Sequence, residues 1–404
     1  MKKRDKDVKF RHRIVEKVFK ALLYPVIKIK YRYKYKVHKE LKNKGPYIII
    51  SNHTVAMDPI LMSFTFPFHI YYLASEQIFN LGLLSKLLVY LVNPISKSKA
   101  LSDISAIRKS KKIVKEGGSI GVYPEGNVTY DGASVTINDS IVKLIRLLEI
   151  DVIIFNTQGL YLSDPRWSVF RKKGKSSGFI NKIIKKEEYK DLTNEELYEV
   201  INEGLNVNAY DQQAKELVKY RGKNLAVGLE RLVFMDLKTN KPFVTYSQKN
   251  ELKSRDSDFK LKYDEYGYLV NEAGVKKTLV EVNKEVIDSY FNFYQTTNEN
   301  LLFEERANVE ITTKKRKSSK GLNYIRLYKN KIIIEYDNNL EEFMYEDVTS
   351  ISIQGKRKII INSSNKTLLI TFNLNSSPYK YLLTYQFYIK EKNDDTSSIQ
   401  QFGL

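Results

Sequence analysis

The sequence predicts an α/β domain built on a mostly parallel sheet flanked by helices, followed by a mainly-β C-terminal domain. Three observations predict it. Short apolar runs at 47–51, 69–74, 119–123 and 151–157 alternate with helical patterns at 102–115 and 139–149, the signature of strands joined by crossover helices. From about Leu301 the pattern is strand after strand. At 404 residues the chain is also too long for one ordinary core.

The chain opens on charge. Residues 1–45 hold 17 Lys or Arg against 4 Asp or Glu, within a formal net charge of +20. Phe10, Ile14, Val15, Val18, Phe19 and Leu22 recur at helical spacing, with Arg11, Arg13, Lys17 and Lys20 between them and Pro25 as a stop. Residues 1–26 therefore read as a basic amphipathic helix. It fits a membrane interface or the chain's own core, and the charge favours the membrane, since each Lys or Arg near an anionic surface contributes about 1 kcal/mol.

From Ile27 to Val37 apolar residues alternate with Lys28, Lys30, Arg32, Lys34 and Lys36. That pattern predicts an edge strand with a cationic outer face. Gly45-Pro46 turns the chain into the run at 47–51. The apolar stretch at 79–94 is interrupted by Lys86 and Asn93, so it reads as a surface or core helix rather than a membrane span. Thr193 and Glu196 form a capping box that opens a helix with Leu197, Val200, Ile201 and Leu205 facing inward.

The first domain is placed at 27–210. Residues 211–300 read as a connector or small module, polar and with weak strand hints. Strand patterns at 309–313, 324–328, 331–336, 348–353, 358–361 and 368–372, closed by a helix at 378–389, define a β-rich domain at 301–390. The tail at 391–404 reads as disordered. No internal repeat is visible.

Absences and excesses narrow the chemistry. There is no cysteine, which removes disulfides, thiolate nucleophiles and cysteine-held metals. The N-terminus lacks the apolar core and cleavage site of a signal peptide. The positive charge suits a polyanion, although Lys, Asn, Ile and Tyr are frequent throughout. With no helix-turn-helix, zinc-finger or RNA-recognition signature, nucleic acid is not expected as a partner.

Of four histidines, His12 and His38 lie in cationic segments and read as surface residues, and His69 sits in an aromatic run as a packing residue. His53 stands apart, where a strand exits into a loop, in Ser51-Asn52-His53-Thr-Val-Ala-Met-Asp58. An aspartate five residues on can turn back, accept the Nδ1 proton and leave Nε2 as a base. At another strand end comes Gly121-Val-Tyr123-Pro124-Glu125-Gly126-Asn-Val-Thr129. The tight turn at Pro124 and Gly126 is expected to project Glu125 toward the same sheet edge, where a solvated turn carboxylate is the plainer reading.

These two blocks resemble the glycerolipid acyltransferase family, the 1-acyl-glycerol-3-phosphate acyltransferases and their relatives. That family carries N-H-x-x-x-x-D, a basic block and F-P-E-G-T-R-S in this order. Asn52-His53 to Asp58 matches the first block and Tyr123 to Gly126 most of the third, and the resemblance covers about half the chain. It implies His53 as general base, Asp58 as its orienting partner, and Tyr123, Pro124, Glu125 and Gly126 shaping the acceptor site. Lys97 or Lys99, in Asn93-Pro-Ile-Ser-Lys97-Ser-Lys99, falls on the basic block, though either fits a solvated charge equally.

No metal, cofactor or acyl-enzyme is implied. Acyl-CoA, acyl-ACP or acyl phosphate is the expected co-substrate, and a lysophospholipid or glycerol phosphate the acceptor. An anionic membrane surface is the expected partner, with the protein peripheral on the cytoplasmic face of the cell membrane. Two departures stand out: the family arginine after P-E-G falls on Val128, and the fourth block, Phe155-Asn-Thr-Gln-Gly159, lacks its proline. Lys97, Lys99 or Arg166 then replaces the arginine, or the acceptor differs. A silent lipid-binding scaffold on the same fold is the alternative function.

The region after 220 resembles a zinc-ribbon appendage without cysteines, with its turns near 236–240 and 255–258. The C-terminal run with its closing helix resembles a pleckstrin-homology domain, with a β-sandwich fragment as the rival reading.

Overall fold

The computed structural model describes residues 6–75, 78–79, 82–97, 104–313, 317–336, 339–364 and 366–393. Lys99 and most of the tail at 391–404 lie outside the described residues. The first helix, α1 (Phe10–Tyr31), is longer than its sequence pattern, with Pro25 inside it. The strand expected at 27–37 shrinks to β1 (Tyr33–Lys34).

The physical reason is burial. Ile27 and Tyr31, four residues apart, are both buried and pack with Val55, Leu61, Phe64 and Leu160. Fully burying such side chains is worth about 1.5–3 kcal/mol each, which offsets the roughly 3 kcal/mol cost of an internal proline. Ile29, which a strand would have placed beside them, is exposed. The helix stops at Arg32, whose φ of 46° is left-handed.

The first domain continues through β2 (Ile48–Ser51), α2 (Asp58–Ser63), β3 (Ile70–Ser75), α3 (Leu83–Val92), β4 (Ile95–Lys97) and α4 (Ile104–Lys115). Then come β5 (Ser119–Val122), α5 (Ser140–Leu148), β6 (Val152–Gln158), α6 (Leu160–Ser163), β7 (Ser176–Ile184), α7 (Lys186–Lys190), α8 (Asn194–Leu205) and α9 (Ala209–Glu216). The seven strands are ordered β1-β7-β6-β2-β5-β3-β4. β6, β2, β5, β3 and β4 run parallel, and β7 pairs antiparallel to β6. Ile48, Ile49 and Ile50 are wholly buried, as a parallel strand covered on both faces requires. The carboxyl ends of these parallel strands share one edge, where such sheets place their sites.

The stretch after α9 is a packed unit. β8 (Met235–Asp236) and β9 (Lys241–Pro242) form a small ladder. β10 (Thr245–Gln248), β11 (Glu251–Ser254), β12 (Lys260–Tyr263), β13 (Leu269–Val270) and β14 (Lys276–Lys277) form an antiparallel sheet. The polar look came from outward charges that pair with one another, such as Lys238 with Asp258 at 2.6 Å and Lys241 with Asp256 at 3.2 Å. Between the ribbon-like turns the Asp236 carboxylate accepts from the Lys238 N–H at 2.9 Å, the Thr239 N–H at 3.2 Å and the Ser257 hydroxyl at 2.6 Å. Hydrogen bonds thus tie the two turns together. Helix α10 (Leu279–Thr296) follows from a capping box at Thr278 and Glu281, the same device that opens α8.

The C-terminal unit holds β15 (Leu301–Thr313), β16 (Lys317–Tyr328), β17 (Lys331–Tyr336), β18 (Asn339–Met344), β19 (Val348–Gln354), β20 (Lys358–Ser363), β21 (Lys366–Thr371) and α11 (Pro378–Lys392). Its curled antiparallel sheet is ordered β18-β17-β16-β15-β21-β20-β19. β18 escaped the sequence pattern because Phe343 is its single buried side chain. One hydrophobic core runs from Tyr161 and Trp167 through Phe234 and Tyr290 to Phe387, so the middle and C-terminal units share it with the edge of the first domain.

Two lysines are sealed in this core. Lys172 lies over the Trp167 ring at 4.4 Å, and burial lowers it from 10.5 to about 7. Lys380 pairs with Glu305 at 2.8 Å, and burial lowers it to about 8. Each amine binds a proton less readily folded than unfolded. Between those values and 10.5 the unfolded chain carries more protons, so stability rises with pH. The denaturation midpoint should therefore climb between about pH 7 and 10, and a Lys172→Met/Lys380→Met chain should climb less. Equal slopes in the two chains would refute this.

Candidate active site

Where β2 ends, a side chain continues its pairing. The Asn52 amide donates to the Thr157 carbonyl at 3.2 Å and accepts from the Thr157 N–H at 2.9 Å. A buried asparagine thereby mimics one more peptide of the β2–β6 ladder, and the chain leaves the sheet in a fixed direction. The next residue is His53.

Asp58, in the first turn of α2, is fully buried and its carboxylate is crowded with donors. Oδ2 accepts from His53 Nδ1 at 2.9 Å, the Thr54 N–H at 2.6 Å and the Val55 N–H at 2.9 Å, while Oδ1 accepts from the Thr54 hydroxyl at 3.2 Å. An acceptor-only group requires the ring to present Nδ1–H. That leaves the lone pair on Nε2, to which no described residue hydrogen-bonds. The His53 side chain keeps 18% of its surface while Asp58 keeps none. An imidazole held in this tautomer, with its free nitrogen accessible, can take a proton from a hydroxyl.

The second block lies against it. Tyr123 to Gly126 is a turn closed by the Gly126 N–H on the Tyr123 carbonyl at 3.1 Å, with Gly126 at a φ of 69°. Tyr123 packs its ring 4.5 Å from that of His53. Glu125 does not project to the acceptor edge as the turn suggested. It is buried, and its Oε1 accepts from the His53 N–H at 3.1 Å. Its Oε2 has no partner among the described residues. Burial pushes Glu125 well above the usual carboxylate range. Two residues past Val128's neighbour Asn127, the Thr129 N–H donates to the His53 carbonyl at 2.9 Å. One loop therefore grips both backbone groups of His53.

The remaining candidates separate. Lys97 ends β4, at the same carboxyl-end edge but at the margin of the sheet. Arg166 is not free to take a phosphate by its whole guanidinium. Its Nε donates to the Gly355 carbonyl at 2.9 Å, one terminal nitrogen to the Val128 carbonyl at 3.1 Å, and the other to the Ile353 carbonyl. His12 is a core residue and not a surface one. It bonds the Tyr71 hydroxyl at 3.0 Å, and burial lowers it to about 4. His69 is packed as expected, between Glu16 at 2.8 Å and the Val92 carbonyl at 3.0 Å. Sequence reasoning missed the supporting roles of Thr54, Thr129 and Thr157. Only the asparagine directly before His53 signalled a fixed exit from the strand.

The acyltransferase family model matches residues 32–156, a segment that contains His53, Asp58 and the Tyr123–Gly126 turn. A 1-acyl-sn-glycerol-3-phosphate acyltransferase of Borreliella burgdorferi is 24% identical over 130 residues, 31% of this chain and 52% of that protein. The Caenorhabditis elegans protein acl-1 is 32% identical over 115 residues, 27% of this chain and 42% of that one. The chain thus spans about half the length of the curated relatives it matches. The crystal structure of the Thermotoga maritima acyltransferase PlsC aligns with a TM-score of 0.41 and 17% identity, over 51% of this chain and 80% of that one.

Glu125 can be tested by linkage. A carboxyl whose folded value is raised by burial loses stability as pH rises above the unfolded value of 4.5. Glu125→Gln should match or exceed the parent in denaturation midpoint at neutral pH, with the difference vanishing near pH 4. Glu125→Ala, which strands the His53 N–H, should cost about 1–3 kcal/mol. A Gln variant weakened equally at both pH values would show that Glu125 is ionised.

Proposed function

We propose that this chain, which belongs to the glycerolipid acyltransferase family, moves a fatty acyl group from an activated donor to the hydroxyl of a lysophospholipid or glycerol phosphate. The observation that carries this reading is the 2.9 Å bond between His53 Nδ1 and a sealed Asp58. As the acceptor oxygen attacks the acyl carbonyl carbon, His53 Nε2 takes its proton and the ring becomes a cation beside the Asp58 carboxylate. When the tetrahedral centre collapses, the bond to sulfur in a thioester donor, or to phosphate oxygen in an acyl phosphate, breaks. The imidazolium proton then goes to the leaving group. Coenzyme A, acyl carrier protein and acyl phosphate donors all place the same demand on His53.

A lysophospholipid acceptor lies in a bilayer, and the surface suits one. α1 exposes Phe10, Ile14, Val18, Leu22 and Ile29, and α3, which packs beside it, exposes Leu83, Leu87 and Tyr90. Arg13, Lys17 and Lys28 stand among them. Contiguous exposed apolar area rimmed by cations fits docking on an anionic leaflet, here the cytoplasmic face of the cell membrane. No described helix is long and apolar enough to cross a membrane. Seven antiparallel strands closed by α11 support reading the C-terminal unit as a pleckstrin-homology-like domain.

A lipid-binding scaffold is the second reading. It is favoured by Val128 at the family's arginine position and by the engagement of Arg166 elsewhere.

The test is transfer of a labelled acyl group in anionic vesicles, from each donor type, to glycerol 3-phosphate, lysophosphatidate and neutral lysolipids. His53→Ala should lower turnover by about 10²–10⁴-fold without releasing the protein from vesicles. Retained turnover in that variant would sink the mechanism, and no turnover in the parent with any pair would favour the scaffold. Separately, Leu83→Glu/Leu87→Glu should reduce partition onto phosphatidylglycerol vesicles, and partition should weaken as salt rises. Undiminished partition of that variant would remove α3 from the docking surface.

A further inference from the structure

The loop that grips His53 does not end at Thr129. Its next residues are held by parts of the chain far away in sequence. The Val128 carbonyl accepts from Arg166 at 3.1 Å, and the same guanidinium donates to the Gly355 carbonyl at 2.9 Å and to the Ile353 carbonyl. Ile353 lies near the end of β19 and Gly355 opens the turn to β20 in the C-terminal unit. Arg166 also lies 4.7 Å over the Tyr130 ring, which stacks at 4.6 Å on Tyr379 of α11. Asp131 accepts from Asn283 of α10 at 2.8 Å.

The turn has a second tie outside the loop. Lys356 Nζ donates to Asp164 Oδ1 and to the Ser168 carbonyl, each at 2.7 Å. Arg166 is nine-tenths buried, and its rigid planar fork suits three carbonyls at once in a way that a lysine's point charge does not. Glu125 and Thr129, which hold the His53 N–H and carbonyl, lie within three residues of Val128. A shift of the Val128 peptide is therefore carried into the backbone of His53.

We propose that Arg166 is a positioning residue through which the turn at 353–357 sets the loop that holds His53, making the C-terminal domain part of the catalytic unit. The inference rests on the acyl-transfer reading. It assigns Arg166 a role other than substitution for the arginine missing at Val128: it braces that position from behind, through the backbone, with the C-terminal domain as its abutment. Both backbone grips on His53 keep their own partners when Arg166 is cut back, so the expected damage is to alignment and not to the existence of the site. Misalignment of that kind lowers the rate of the chemical step more than the affinity for the acceptor.

The experiment uses the full chain and two readouts, transfer kinetics and amide exchange at His53 and Thr129. Arg166→Met should lower kcat by roughly 10–100-fold, leave KM for the acceptor within about threefold, and speed exchange at both amides. Arg166→Lys, able to reach one carbonyl, should recover part of kcat. Lys356→Met, which loosens the turn at its outer tie, should give a smaller loss of the same kind.

Unchanged kcat and exchange in Arg166→Met would overturn the proposal. So would a rise in KM alone, the mark of a substrate-binding group, or a loss that merely tracks the folded fraction. If Arg166→Met does not fold, Arg166→Lys and Lys356→Met decide by the same two readouts. If the parent transfers nothing, the acyl-transfer reading fails by itself. Exchange at His53 and Thr129 then still tells whether Arg166 holds the loop.

Discussion

The carboxylate of Asp58 has no water-facing surface, and the local architecture follows from the need to satisfy it. A bare ionised carboxyl in such a place would be prohibitively costly. Here it collects two backbone N–H groups, a hydroxyl and an imidazole N–H. Supplying those donors fixes the path of residues 53–55, and that path in turn dictates the tautomer of His53 and the direction its free nitrogen faces. The Asn52–Thr157 pairing holds the start of this segment to the sheet, and α2 holds its end.

Around that carboxylate the protein places groups whose charged forms burial disfavours. Glu125, which burial pushes well above the usual carboxylate range, accepts from the His53 N–H. Tyr123 and Tyr72 stack at 6.3 Å, and the Tyr72 hydroxyl donates to the Pro59 carbonyl at 2.7 Å. An apolar, aromatic wall behind the imidazole keeps the Asp58–His53 interaction in a low-dielectric setting, where it is stronger than it would be in water. The two acidic residues of the motif are thus placed unequally. Asp58 receives four donors, whereas Glu125 accepts from the His53 N–H and has no partner for Oε2 among the described residues.

Much of this could be read in the residues, but unevenly. The strands at 47–51, 119–123 and 151–157 and the His53–Asp58 pair were legible because period and spacing are local properties. The orientation of Glu125 was not, since the sequence of a turn is the same whether its carboxyl faces water or the core. α1 overran Pro25 because tertiary burial of Ile27 and Tyr31 outweighed a local stop signal, and the alternation at Ile27, Ile29 and Tyr31 is also compatible with one helical turn. The middle unit showed only weak strand hints for a third reason: its strands are two to four residues long and their exposed faces carry paired charges. Arg166 could be singled out as a cation near the site, yet two of its three acceptors are carbonyls 189 and 187 residues away, and no local pattern encodes such a partner.

The shared core has a consequence for how the chain can be divided. Tyr161, Trp167, Leu229, Tyr290 and Phe387 belong to one continuous cluster, so boundaries near 210 or 300 are breaks in sequence pattern and not in packing. A chain cut at 210 would leave Tyr161 and Trp167 facing water and Lys172 without its aromatic cover from Tyr263. Recombination of this N-terminal half with an unrelated tail is correspondingly constrained. Any substitute must bring its own wall for those side chains, and the accessory regions are bound to evolve in step with the half they cover.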